Sequence, residues 1–113
     1  MISHIVLMKP RADLADADRH AFVDAFERAV RDIDLVRAVH VGRRVRHGAG
    51  YEATSPDVDF VAVINFDDLA GLQAYLRHPA HQELGARFGQ AMQLAMVYDC
   101  DVTEGVEDLT RLM

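Results

Sequence analysis

Apolar and polar positions along the chain change period several times, and each change marks an element. Ser3 to Lys9 is a β-rich apolar run stopped by Pro10, which predicts a first strand. Asp13, Asp16 and Asp18 then supply carboxylates suited to a helix start. Behind them Phe22, Phe26, Ala29, Val30 and Ile33 recur at helical spacing and form one apolar stripe. Opposite the stripe, Asp24 with Arg28 and Glu27 with Arg31 make i,i+4 pairs of favourable orientation. Val36 to Arg46 alternates loosely through Val39, Val41 and Val45 and predicts a second strand, exposed on one side. His47 to Asp57 holds Gly48, Gly50, Ser55 and Pro56 with almost no aliphatics, so it predicts a loop.

Val58 to Phe66 predicts a third strand. Asp67 and Asp68 then cap a short helix bearing Leu69, Leu72 and Leu76, and His78-Pro79 interrupts it. A proline suits the first turn of a new helix, which would run from Pro79 to about Met92 with Leu84, Phe88 and Met92 inward. Gln93 to Thr103 predicts a fourth strand. Residues 1–103 thus read as one domain and 104–113 as a C-terminal tail, whose Val106, Leu109 and Leu112 are expected to pack against protein, either this chain or a partner.

The order βαββαβ predicts an α+β chain of the ferredoxin-like type, an antiparallel sheet with helices on one face. The strands are apolar on both faces. Phe60, Ala62, Ile64 and Phe66 oppose Val61 and Val63, and Leu94, Met96, Tyr98, Cys100 and Val102 oppose Ala95 and Val97. A half-exposed antiparallel sheet alternates apolar with polar. With no further helix to cover the second face, a second copy is the economical cover, and the expected partner is a homodimer built of two facing sheets.

Composition narrows the function without naming it. The chain has 113 residues, 50% hydrophobic and 27% charged, which is globular composition and one core's worth of sequence. No apolar run approaches the ~20 residues of a membrane span, and no signal peptide is expected. A net charge of −6 argues against nucleic acid as a partner. The single cysteine, Cys100, excludes a disulfide within the chain, so a reducing cytoplasm is the expected location.

Candidate chemistry then falls to histidine. His20, His40 and His47 sit on polar surfaces or in the loop. His81 precedes Leu84 and Phe88 at helical spacing, so it turns toward the sheet. His4 shares strand parity with Val6 and Met8, and Asp99 shares it with Ala95 and Val97. Neighbouring first and fourth strands would bring His4 and Asp99 to one side, with Tyr75 just across the helix junction. These groups either form a small-molecule site in an apolar pocket or a satisfied core network. His78 and His81 have no fourth ligand at a defined spacing, so no metal site is predicted. The arginines Arg37, Arg43, Arg44 and Arg46 suit a charged edge strand.

The run Ala74-Tyr75-Leu76-Arg77-His78-Pro79-Ala80-His81 resembles the stress-responsive dimeric α/β-barrel (Dabb) family. So do His4-Ile5-Val6-Leu7-Met8, Gly42, Asp59-Phe60 through Asn65-Phe66, and Val97-Tyr98-Asp99, from about residue 3 to residue 101. The resemblance implies a dimeric α/β barrel and a His/Tyr-lined pocket for a small apolar or polyketide-like ligand, with no cofactor. A characterised plant member closes a linear polyketide by intramolecular aldol condensation. Its catalytic set matches His81, Tyr75, His4 and Asp99, with Asp99 implied to fix the His81 tautomer, and Phe22 matches an acyl-pocket residue. Val6, Met8, Ala62, Ile64, Val97 and His78 complete the expected ligand-binding walls. A non-enzymatic binding protein, a cofactor-independent cyclase with His81 as general base, and an antibiotic-monooxygenase-like enzyme all remain open. The haem-degrading relatives depend on a tryptophan, and this chain has none.

Overall fold

In the computed structural model, which describes all 113 residues, the first strand β1 spans Ile2–Pro10. It is followed by α1 (Asp16–Asp32), β2 (Ala38–Arg43), a 3-10 turn (Gly50–Ala53), β3 (Phe60–Phe66), α2 (Leu69–Arg77), α3 (Pro79–Ala91) and β4 (Met92–Asp101). A second 3-10 turn (Val106–Asp108) and the short α4 (Leu109–Leu112) close the chain. The strands form one antiparallel sheet in the order β2-β3-β1-β4. This is the predicted ferredoxin-like α+β fold.

Register explains how the sheet divides its residues. His4 pairs with Ile64 and Asp99, and Val6 with Ala62 and Val97. Strand alternation puts all of these on the face that meets the helices. There Ala62, Ile64 and Phe66 are fully buried against Leu72 and Tyr75 of α2. Burying Ile64, Phe66 and Leu72 contributes about 1.5–3 kcal/mol each. Ala25 and Ala29 are small enough for close helix contact, α1 packs chiefly on α3, and Arg28 donates to Glu83 across that contact at 2.7 Å.

The α2–α3 break follows from local chemistry. Asp68 caps α2 by accepting from the Gly71 N–H at 2.8 Å. His78 ends α2 and begins α3, in the extended geometry that a following proline favours. Its Nδ1 accepts from the Ala80 N–H at 3.0 Å.

Three expectations shift. The second strand stops at Arg43 because its partner β3 begins at Phe60; only the Arg44 N–H reaches past it, to the Asp59 carbonyl. The His47–Asp57 loop contains a turn held by Glu52, whose carboxylate accepts from the His47 and Ala49 N–H groups. Those donors hold its pKa below the usual glutamate value. In the tail, Val106 is 85% exposed and Leu109 53%, so their own chain does not cover them and the expected packing would fall to a partner copy.

Candidate functional site

A cavity of about 240 Å³ opens between the sheet, α1 and α3. Each of its polar residues is delivered by a different element. His4 comes from β1 and is buried; Tyr75 comes from the last turn of α2 and is 1% exposed. His81 lies in the first turn of α3, one helical turn before Leu84 and Gly85, and all three face the cavity. The rings are close: Tyr75 to His81 is 4.7 Å between centroids, edge to face, and Tyr75 to His4 is 6.2 Å. Phe66 backs Tyr75 from below at 5.1 Å.

Hydrogen bonding sets what these groups can offer. His4 Nδ1 donates to the Asp99 carboxylate at 2.5 Å across the β1–β4 pair. An ionised carboxylate only accepts, so Nδ1 carries a proton and aims it at Asp99. The Tyr75 hydroxyl has no protein partner, although no fully buried polar side-chain atom goes unpaired. It therefore keeps a sliver of exposure, which opens on the cavity it lines. Burial pushes the Tyr75 pKa up to about 12, so the hydroxyl is a donor at neutral pH. Burial also lowers the pKa of His81, and the neighbouring His4 adds to this against a backbone hydrogen bond with Leu76. Neutral imidazole is favoured there.

The structure gathers most of the expected residues around this cavity. His4, Tyr75, His81, Phe22, Val6, Met8, Ala62, Ile64 and Val97 all line it. Two do not. His78 is a cap, its Nδ1 turned back onto its own helix start, which corrects its assignment as a wall residue. Asp99 stands behind His4, its side chain 44% exposed, because β4 is an edge strand that no helix covers. The implied Asp99–His81 pairing is therefore replaced by an Asp99–His4 pairing, fixed by strand register.

Phe26, Leu76, Leu84 and Phe88 also form wall, though sequence periodicity marked them only as inward-facing. Gly85 was missed altogether. A Cβ built on it would meet nothing within 4 Å, so the glycine leaves open space beside His81. Its place one turn after His81 on the same helix face was the available signal.

The model of the stress responsive A/B barrel domain matches residues 2–102. The chain belongs to that family. No curated protein sequence matches it. Among solved structures, an Arabidopsis thaliana protein is 18% identical, with 93% of this chain and 98% of that one covered at a TM-score of 0.76. A dimeric ferredoxin-like protein of unknown function from Thermobifida fusca is 20% identical over 89% of this chain and 90% of its own, at 0.69. The hydroxynitrile lyase of Passiflora edulis is 13% identical over 92% and 94%, at 0.73. Other neighbours include an antibiotic biosynthesis monooxygenase and two further chains described as dimeric. At these identities the likeness establishes the fold alone.

Proposed function

We propose that this A/B barrel domain binds a small, mostly apolar ligand that carries a carbonyl group, and does so as a homodimer. One observation carries the reading: three polar rings, His4, Tyr75 and His81, converge in a cavity whose other walls are almost wholly apolar. Apolar walls with a few convergent polar groups are the usual makeup of a small-molecule site. Tyr75 donates to the carbonyl oxygen, and the surrounding aromatics hold the carbon skeleton. The dimer reading rests on the sheet face away from the helices. Ile5, Leu7, Val61, Val63, Met96 and Tyr98 share it, no helix of this chain covers it, and neighbours of the same fold are described as dimeric. Residues 1–103 would form the binding domain and 104–113 an appended tail. No helix is long and apolar enough to cross a membrane. The free Cys100 supports a reducing cytoplasm.

A second reading, cofactor-independent aldol cyclisation, is favoured by the opposed shifts of Tyr75 and His81. Neutral His81 would take a proton from carbon between two carbonyls, while Tyr75 hydrogen-bonds the enolate oxygen. The carbanion would attack a second carbonyl of the same molecule, and the imidazolium would return its proton to the new alkoxide. An antibiotic-monooxygenase-like reaction draws on fold likeness alone, and no residue of the cavity favours it.

The test is an NMR titration with a short methyl ketone. The His81 and Tyr75 ring signals should shift on binding, and Tyr75→Phe should weaken it while the amide spectrum stays native. A ligand that shifts only surface histidines such as His20 would refute the site. If the cavity is catalytic, His81→Ala should abolish turnover of a poly-β-keto substrate. Tyr75→Phe should raise the barrier by roughly 2–4 kcal/mol at most.

A further inference from the structure

The candidate cavity has a larger neighbour. A second cavity of about 640 Å³ lies between α1 and the β2–β3 side of the sheet, walled by Leu14, Val23, Val30, Val41 and Phe60 among others. Met8, Phe22 and Phe26 line both spaces, so side chains alone divide them. Size separates their roles. The first, at about 240 Å³, falls below the roughly 300–1,000 Å³ of sites that enclose drug-sized ligands, and the second, at about 640 Å³, falls within it. The first suits a head group and the second a chain.

The charged lining residues of the larger cavity, Arg19, Glu27 and Arg43, are all exposed and mark its mouth. Arg19 is engaged by Asp16 at 3.1 Å. Arg43 joins no ion pair, although Arg37 and Arg46 on the flanks of the same strand do. A free cation at the rim of an apolar cavity complements an anionic end.

We propose that the two cavities form one site for an unbranched oxo acid. Its ketone lies at Tyr75 and His81, its alkyl chain passes Phe22 and Met8 into the larger cavity, and its carboxylate meets Arg43. The chain is unbranched because the dividing wall is tightly packed. The Phe22 ring contacts those of Phe26 and Phe88 at 6.1 Å between centroids, so it must turn aside to join the cavities, and a straight chain needs the narrowest opening. This rests on the small cavity being a carbonyl site, as proposed above.

Calorimetric titration of the full chain with oxo acids carrying the ketone next to the methyl end, in a series of rising length, tests it. Once the small cavity is full, affinity should keep rising about fourfold per added methylene. Val41→Trp, or Val23→Trp as a second plug at an exposed position, should flatten that rise and leave short methyl ketones unaffected. Arg43→Gln should weaken the acids about two- to fivefold and leave their methyl esters unchanged. A wild-type series that stops gaining when the small cavity is full overturns the proposal, as does a rise that neither tryptophan blunts. Short ketones that leave the His81 signals unmoved would strike the underlying reading instead, and a series in which nothing binds removes both.

Discussion

β3 and β4 have similar apolar patterning and opposite surroundings. Both are apolar on each face, yet Ala62, Ile64 and Phe66 of β3 are at most 2% exposed while Val97 and Tyr98 of β4 are both 50% exposed. The difference lies in position, since β3 is interior to the sheet beneath α2 and β4 is an edge beyond the helices. Apolar strand positions therefore carry two meanings here. On β3 they fill a core; on β4 they face a cavity mouth on one side and the proposed partner on the other. His4 and Asp99 join the two environments, one buried and one half open.

Truncation should separate the strands most sharply. Phe66→Ala is expected to cost about 3–5 kcal/mol in chemical denaturation, because a fully buried ring leaves a void. Val97→Ala, half exposed already, should cost less than about 1 kcal/mol. Equal losses at the two sites would mean that β4 is covered by something as extensive as α2.

The partner side comes next. Tyr98→Asp puts a charge on the helix-free face of β4, and sedimentation should then fall from about twice the chain mass of 12.6 kDa to that mass. The single substitution should leave the monomer folded, since Tyr98 is half exposed and is not part of the buried core cluster. A wild-type protein already monomeric at micromolar concentration would end the dimer proposal.

What the sequence revealed follows the same division. Period-two and helical patterns located all four strands and the helices α1 to α3, because those patterns are produced by burial against the chain's own core. They also placed His81 and His4 on inward faces. They could not say which apolar face goes uncovered, since Val97 and Ile64 look alike until strand order makes one an edge. His78 misled for a related reason: its motif reads as a site, while a histidine before a helix-opening proline can cap the new helix, here by accepting from the Ala80 N–H. Gly85 adds no side chain to the apolar stripe, and only its place one turn after His81 marked it.

On the covered side, pH offers a finer measure. His81 has a folded pKa depressed below 6.5, so the unfolded chain takes up a proton more readily than the folded one. Its contribution is fully present above 6.5 and is lost as pH falls from there through the lower folded value. Denaturation midpoints of the wild type should therefore drop over that window relative to His81→Gln, which has no such group. Parallel curves would place His81 in water, outside the apolar wall.

The smallest expected effect concerns the wall shared with Val97. Gly85 lies within α3 and lines the cavity, and a methyl group there would meet no atom within 4 Å. Replacing an interior helical glycine with alanine removes backbone freedom from the unfolded chain, so Gly85→Ala should stabilise the fold by about 0.5–1 kcal/mol. The added methyl also takes room beside His81, so binding of a methyl ketone should weaken even as the melting temperature rises. Those opposite signs are informative, because a glycine kept only for packing would give destabilisation and one of no consequence would leave ligand affinity untouched. Gain of stability with loss of binding is the outcome expected of a helix that gives up a methyl group to keep a cavity open.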